Sequence, residues 1–237
     1  GQLPEVGEEF SWDSTRKLWS AEMSGRMLPL AVMALLMMVL LLAPADWAQE
    51  VEAYVSLETN PGLELAINSL QRVVGVRAMN EDGELLLQQA GEEWMGLSLR
   101  GAICLFLEQA YLHGYLHENG KLLVSTTTAG PHEPSWKNKL HDQLLAEMSK
   151  YVTVKDGSVV VLHTPDEIRT AAMEKNTSTG RYALYLAMQG AGQSMPLSIV
   201  AQAPIPEVLN KSVNVQQWQA VSEEEWEKWM GKEQLRN

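Results

Sequence analysis

Cysteine, lysine and arginine are scarce in this chain of 237 residues. The one cysteine, Cys104, has no intrachain disulfide partner, and its apolar helical context predicts a buried thiol. Lys and Arg total 18 against 30 acidic residues, so the net charge is −12 and the basic clusters that nucleic-acid binding requires are missing. The sequence also lacks Cys/His zinc spacing, a Ser/His/Asp or Cys/His set and a glycine-rich phosphate loop. It therefore predicts no metal, no cofactor and no turnover enzyme.

Charge is absent from residues 27–45, which form one long apolar run. At about 1.5 Å per helical residue, this run nearly matches the ~30 Å hydrocarbon core of a bilayer. We therefore predict a single transmembrane helix. A cleaved signal peptide is the alternative, because Ala43-Pro-Ala45 is typical of a small-residue cleavage site. The length of the run and the 26 residues before it favour the transmembrane helix.

The residues that flank this run differ in charge. Arg16, Lys17 and Arg26 precede it, whereas acidic residues follow it and no Lys or Arg appears again before Arg72. The positive-inside rule therefore places residues 1–26 in the cytoplasm and residues 46–237 outside the plasma membrane. Residues 1–26 are too few to form a domain alone, and because the chain begins with Gly we expect an upstream part.

Residues 50–190 carry alternating and helical apolar patterns that predict an α+β domain, with helices on one face of an antiparallel sheet. Asn80-Glu-Asp-Gly83 is expected to form a turn, and Thr164-Pro-Asp-Glu167 a capping box. Strands are predicted at 51–58, 63–68, 72–79, 121–128 and 158–163, and helices at 84–90, 98–113, from 135, from 164 to about 175 and at 182–188.

After Gly190 the apolar pattern is lost, and residues 191–237 are predicted to be an acidic, Trp-containing tail. Trp218, Trp226 and Trp229 in this tail fit an amphipathic helix with an aromatic stripe. A contact with carbohydrate or cell wall is the alternative interpretation of these Trp residues.

Asn60-Pro61 interrupts a strand pattern whose alternation continues on both sides of it. Proline has no N–H, so the usual attack of the following amide on the Asn side chain is closed. The remaining intramolecular reaction is attack of the Asn60 amide nitrogen on its own main-chain carbonyl, which forms a succinimide and releases Pro61. This reaction needs a fold that orients the side chain and an acid that protonates the leaving nitrogen.

Glu58 and Glu64 have the same strand parity as Asn60, so they are the candidate acids on its sheet face. The alternative interpretation is that Asn-Pro-Gly is only a turn between two antiparallel strands. A second sequence, Gly157-Ser158 and the valines after it, resembles the cleavage site of animal SEA domains, but its β-branched run is more typical of a buried strand.

Several motifs in residues 53–128 carry a family resemblance: Asn60-Pro61, Asn80-Glu-Asp-Gly83 and Gly114-Tyr-Leu116, in this order. The chain resembles the RsgI-type anti-sigma factors, which are single-pass bacterial membrane proteins. Residues 164–169 and 178–184 are similar to the family's second helical stretch, and residues 3–10 to the last strand of its cytoplasmic domain. Glu58 stands where the family has Asp, and Gly62 where it commonly has Ser.

The resemblance implies a membrane anti-sigma factor whose cytoplasmic part sequesters an alternative sigma factor. It also implies a SEA-like, ferredoxin-like outer domain that cuts itself at Asn60-Pro61 and keeps both pieces paired. An intramembrane protease would then act within the lipid bilayer to free the sigma factor. The alternative is a membrane-anchored structural or sensing domain without a sigma partner and without self-cleavage.

Overall fold

A computed structural model of the chain describes residues 32–35, 37–38, 49–117, 120–130, 134–148, 158–212 and 221–234. The chain divides into two units, Gly1–Trp47 and Ala48–Asn237. In the first unit, residues 32–35 and 37–38 are helical. The rest of the predicted span at 27–45 lies outside the described residues. Within those ranges, no helix combines the length and the apolar character that a membrane crossing needs.

A five-stranded sheet forms the centre of the second unit in the described part of the chain. Its strands lie in the order β3-β2-β1-β4-β5, so β1 is the middle strand. Neighbours from β3 to β4 are antiparallel, as predicted, whereas β4 and β5 are parallel. The prediction of a purely antiparallel sheet is therefore wrong. The strands are β1 Ala53–Glu58, β2 Gly62–Ile67, β3 Val73–Ala78, β4 Leu122–Thr128 and β5 Val159–Thr164.

Helices cover both faces of this sheet, which corrects the prediction of one covered face. The helices of the second unit that the structure describes are α1 Glu81–Ala90, α2 Leu99–Leu112, α3 Pro134–Met148, α4 Asp166–Glu174, α5 Thr179–Gly190, α6 Leu197–Gln202, α7 Ile205–Lys211 and α8 Glu223–Gln234. A single 3₁₀ turn, Gly91–Trp94, follows α1. Helix α3 lies in the connection between β4 and β5, as expected for a crossover that makes two strands parallel.

Two hydrophobic cores lie on opposite faces of the sheet. The first joins inward residues of β1 and β2 to α1, α2 and α3, and it contains Leu57, Leu65 and Ile103. The second joins Leu123 and Val160 to helices α4 to α8. Burial of each such side chain contributes about 1.5–3 kcal/mol. Strands β4 and β5 are buried on both faces, and each begins with a short apolar run, at 122–124 and at 159–162, rather than with an alternation.

Strand β3 carries an irregularity that changes which of its residues face the first core. The register with β2 shifts between Ala66 and Ile67, so that Ile67 pairs with Val73. Val73 is buried in the first core, whereas Val74 is only half-buried. A bulge exchanges the faces of the residues beyond it.

Two predicted helix starts differ from the observed ones. The segment predicted as a turn, Asn80-Glu-Asp-Gly83, is instead the start of α1. Asn80 caps this helix, since its side chain accepts a hydrogen bond from the Gly83 N–H. Thr164 does not form a capping box, because α4 begins after Pro165 without a side-chain cap. The Thr164 hydroxyl instead lies 2.7 Å from the Thr127 hydroxyl, on the neighbouring strand.

Residues after Gly190 form more regular structure than their weak periodicity predicts. The short helices α6 and α7 begin after Pro196 and Pro204 and bury residues in the second core. Helix α8 confirms the amphipathic interpretation for Trp226 and Trp229, as Trp226 is buried against the second core and its ring packs edge-on against Trp229. Trp218 lies outside the described residues. The Trp226 indole N–H also donates to the His163 carbonyl, 2.9 Å away, which fixes α8 to β5.

Candidate functional site

The Asn60-Pro61 bond lies in the loop of the β1–β2 hairpin. Glu58 and Gly62 are the last paired residues, so the loop is Thr59-Asn60-Pro61. The Thr59 N–H donates to the Pro61 carbonyl at 3.1 Å. Pro61 is buried and Asn60 is half-buried. Asn60-Pro61 therefore lies in the turn between two antiparallel strands, in a partly enclosed position.

The start of α1 holds the far side of this loop. The Asn80 side-chain oxygen accepts from the Gly62 N–H at 3.0 Å and from the Gly83 N–H at 2.9 Å. The Gly62 carbonyl in turn accepts from the Met79 N–H at 2.9 Å. Both backbone groups of Gly62, one residue after Pro61, are thus held by the segment that ends β3 and begins α1.

Position 83 requires glycine because the first turn of α1 lies very close to the Gly62 carbonyl. A Cβ atom at position 83 would lie 2.3 Å from the Gly62 carbonyl oxygen, far inside contact distance. Gly62 has tight surroundings as well, because a Cβ there would lie 3.1 Å from the Met79 Cβ. The Gly62 that replaces the family's Ser therefore fits a crowded position.

The side chain of Asn60 contacts Asp82, in the first turn of α1. The Asn60 Nδ2 group donates to Asp82 Oδ2 at 3.3 Å. The Tyr115 hydroxyl donates to the other carboxylate oxygen, Asp82 Oδ1, at 2.9 Å. The pKa of Tyr115 is raised, chiefly because its hydroxyl donates to Asp82 and further because burial disfavours the phenolate. Asp82 therefore connects the amide nitrogen of Asn60 to a phenol that stays protonated.

The end of α2 positions Tyr115. Gly114 has a φ of +74°, which favours glycine, and the Tyr115 N–H then donates back to the Ala110 carbonyl at 2.8 Å. The Tyr115 carbonyl accepts from the Thr59 hydroxyl at 3.0 Å. Tyr115 thus contacts the residue before Asn60 through its backbone and Asp82 through its ring.

Glu58 is buried on the second-core face, where its carboxylate contacts α5. Its Oε1 accepts from the Ser178 hydroxyl at 2.6 Å, and its Oε2 accepts from Arg181 Nε at 3.0 Å. Gly180 permits this approach, since a Cβ there would lie 2.7 Å from Glu58 Oε1. Burial raises the pKa of Glu58, and the charge of Arg181 and the Ser178 hydrogen bond oppose that rise.

Glu64 is also buried, and two arginines neutralise it. Arg169 donates to both of its oxygens, at 3.2 and 2.9 Å, and Arg77 donates at 3.1 Å. The Arg169 guanidinium also lies over the Tyr54 ring, 3.5 Å from the centroid. The described contacts of both predicted acids, Glu58 and Glu64, thus lead to the helices of the second core and to β3. Their role as acids stays a prediction.

Asp82 and Tyr115 are the residues at the loop to which the sequence assigned no chemistry. Both belong to motifs of the resemblance, Asn80-Glu-Asp-Gly83 and Gly114-Tyr-Leu116, and this was the signal available. Ser158, the other candidate for self-cleavage, comes immediately before β5 and is buried, whereas Gly157 lies outside the described residues. In the described ranges, no group of three or more His, Cys, Asp or Glu side chains is arranged to hold a metal ion.

Comparison with known proteins matches the region that contains these motifs. A family model described as the anti-sigma factor RsgI-like central domain matches residues 52–187. Anti-sigma-I factor RsgI9 of Acetivibrio thermocellus is 27% identical over 165 residues, which is 67% of this chain and 23% of the relative. Anti-sigma-I factor RsgI of Bacillus subtilis is 23% identical over 149 residues, 63% of this chain and 38% of the relative.

The chain thus spans well under half of the length of these two relatives. The matched region runs from the residue before β1 into α5, and it includes the hairpin loop, Asp82, Tyr115 and Arg181. The sheet, helices α1 to α4 and most of α5 therefore lie inside the family's domain, and α6, α7 and α8 lie after it. This chain belongs to the RsgI-like anti-sigma factor family, through its central domain.

Proposed function

We propose that this chain is part of a single-pass membrane anti-sigma factor that sequesters an alternative sigma factor, with the SEA-like central domain outside the plasma membrane. Family membership supports the anti-sigma activity, and the names of the relatives favour a sigma factor of the sigma-I class. The apolar run at 27–45 and its flanking charges support an anchor with a cytoplasmic N-terminus. The cytoplasmic part would bind the sigma factor.

The outer domain cleaves itself once, between Asn60 and Pro61. The observation that carries this proposal is the hairpin loop, where the Asn60 amide is hydrogen-bonded to a carboxylate and Gly62 is held through both backbone groups. Such fixed orientation is what a weak nucleophile needs to attack its own carbonyl. The reaction is a single turnover, and it needs no cofactor.

Both products stay in one folded domain after the cut. The piece that ends at Asn60 contributes β1, which pairs with β2 on one side and with β4 on the other. An exposed edge strand would have only one such ladder. Separation of β1, or further proteolysis, would then allow an intramembrane protease to cut the anchor and release the sigma factor.

Self-cleavage is tested on the chain produced in a bacterial membrane and purified in detergent. We expect two bands on a denaturing gel, co-elution of both pieces in native chromatography, and a larger piece whose first residue is Pro61. Asn60→Ala should give one band from an equally folded protein, and Ser158→Ala should cleave like the parent. An intact parent chain after prolonged incubation would mean that Asn60-Pro61 is only a turn.

The sigma partner is tested by co-expression of the full-length protein with a sigma-I factor. We expect the two to purify together from detergent-solubilised membranes, and replacement of the cytoplasmic part to abolish this. The matched control is a housekeeping sigma factor, which should not be retained. If the sigma-I factor also fails to purify with the protein, the alternative of a membrane-anchored sensing domain without a sigma partner is favoured.

A further inference from the structure

We propose that Asp82 is the catalytic base of self-cleavage at Asn60-Pro61 and that Tyr115 positions its carboxylate. This inference rests on the self-cleavage proposed above. The observation behind it is the chain of two hydrogen bonds, from Asn60 Nδ2 to Asp82 Oδ2 and from the Tyr115 hydroxyl to Asp82 Oδ1. The first of these involves the nitrogen that must attack.

An amide nitrogen is a poor nucleophile because its lone pair is delocalised into the neighbouring carbonyl. A carboxylate that accepts one of its hydrogens increases the electron density on nitrogen and fixes the plane of the amide. General bases placed in this way contribute about 10²–10⁴-fold to rates. Asp82 meets the geometric requirement, since it is in hydrogen-bond contact with the reacting nitrogen at 3.3 Å.

Bonds and protons balance without a co-reactant. The Asn60 Nδ2 atom forms a bond to the Asn60 main-chain carbon while Asp82 takes one Nδ2 proton. The resulting tetrahedral carbon collapses, the bond to the Pro61 nitrogen breaks, and Asp82 returns the proton to that nitrogen. The products are a C-terminal succinimide at Asn60, which water later opens, and a new secondary amine at Pro61. Asp82 is unchanged at the end.

The other two carboxylates near the loop in sequence are committed elsewhere. Glu58 accepts from Ser178 and Arg181, and Glu64 accepts from Arg77 and Arg169. The described hydrogen bonds of these two carboxylates are to serine and arginine side chains and not to Asn60, whose amide nitrogen donates to Asp82. The described donors to Asp82 are an amide and a phenol, both uncharged.

Tyr115 serves as a positioning residue, because it contacts Asp82 and not the reacting atoms. Its hydroxyl leaves Asp82 Oδ2 free to face Asn60, and a hydrogen bond to a carboxylate favours the ionised form that acts as base. The titratable groups near this pair among the described residues include Glu81 and Glu84, on the same helix turn as Asp82, and His113, whose ring lies 6.5 Å from that of Tyr115. All three are exposed.

The test measures cleavage rates of the 237-residue chain made by cell-free translation in detergent micelles. A radioactive pulse marks intact chains, and the loss of the intact band is then followed at pH values between 4.5 and 8. Asp82→Asn keeps an oxygen acceptor but cannot take a proton, and we expect it to slow cleavage at least about a hundredfold. Glu81→Gln, which removes one charge from the same helix turn, should cleave at the parental rate.

The pH profile separates chemistry from loss of fold. In the parent, the rate should fall in acid as the carboxylate becomes protonated, and this acid limb should be absent from the residual rate of Asp82→Asn. Tyr115→Phe should slow cleavage about tenfold, as expected for one hydrogen bond to a charged group, and should move the acid limb to higher pH. A purely structural role for Tyr115 would leave that limb in place.

The outcomes distinguish this inference from the proposed function. An uncut parent, indistinguishable from Asn60→Ala, would overturn self-cleavage itself. A parent that cleaves while a folded Asp82→Asn cleaves equally fast would overturn only the role of Asp82. Asp82→Asn is uninformative if it fails to fold, as judged by protease resistance. In that case the test is whether Tyr115→Phe moves the acid limb of the pH profile, and an unmoved limb overturns the inference.

Discussion

Glu58 and Arg181 form a buried ion pair, with 3.0 Å between Glu58 Oε2 and Arg181 Nε. In the sequence, Glu58 lies before the Asn60-Pro61 bond and Arg181 lies after it. Their side chains are only 2% and 6% exposed. Arg181 also donates to the carbonyls of Val200 and Ala203, each 2.7 Å away. The pair therefore joins β1, which precedes the bond, to α5 and α6, which follow it.

Loss of Arg181 should be strongly destabilising. Arg181→Met leaves the Glu58 carboxylate buried without its cation, and breaking such a pair costs about 3–5 kcal/mol. Urea unfolding of the second unit, Ala48–Asn237, followed by Trp fluorescence, measures this free energy. The matched control, Lys211→Met, breaks an exposed ion pair with Glu207 and should change little. Equal effects of the two variants would show that burial of the Glu58 pair is energetically unimportant.

The first core should not tolerate a charge on α2. Ile103 has no exposed surface and packs against β1 and β2, so Ile103→Asp should unfold the second unit. Leu112→Asp is the control, because Leu112 lies on the same helix with its side chain 73% exposed. Circular dichroism melting measures both variants, and a cooperative transition at the parental temperature for Ile103→Asp would contradict this core.

A methyl group at position 83 should displace the hairpin loop from α1. Gly83→Ala brings its Cβ against the Gly62 carbonyl, and overpacking of this kind costs about 1–3 kcal/mol. We expect a lower melting temperature and slower self-cleavage, since the displacement moves Asp82 relative to Asn60. Gly130→Ala has open space around its Cβ and should match the parent in both measurements.

Acid should destabilise the second unit through His141. Burial lowers the pKa of His141, an effect that Asp142 opposes, so the unfolded state takes up this proton more readily than the folded state. The contribution of neutral His141 to stability is therefore complete above its ordinary pKa of about 6.5 and is lost as the pH falls below it. Melting temperatures at pH 7.5 and 5.5 measure the loss, and His141→Gln should reduce the difference. An undiminished difference would assign the acid sensitivity to other groups.

The proposed membrane topology rests on the charges that flank residues 27–45. Protease added to cells with a permeabilised outer layer should digest residues 46–237 and spare a tag at the N-terminus. Detergent lysis before the protease is added should expose both. A protected C-terminal part would reverse the orientation and contradict the assignment of the hairpin loop to the outside.

The local apolar pattern was sufficient to predict β1, β2 and α2, since apolar residues alternate in both strands and recur at helical spacing in α2. Helix α2 also has a Ser98 cap and Gly114 after its end. The local pattern failed where contacts from other elements decide. Thr164 bonds to the neighbouring strand rather than to its helix. Helices α6 and α7 have six and seven residues, too few for a repeated helical pattern to be recognised in the sequence. The same limit applies to the site. Asn60 was found from its own chemistry, whereas Asp82 and Tyr115 lie 22 and 55 positions away and are brought to it only by α1 and the end of α2.

Because β1 is the middle strand of the sheet, cleavage of the Asn60-Pro61 bond does not by itself release β1 from the sheet. A cut at Asn60-Pro61 removes one covalent bond from a hairpin loop and leaves both flanking ladders in place, so the cleaved and intact molecules present the same folded surface apart from two new chain ends. A protease or partner that recognises that surface would not distinguish them. An external signal would then be transmitted only when β1 separates from the sheet. The hydrogen bonds of β1 to β2 and β4 and the Glu58–Arg181 ion pair oppose this separation.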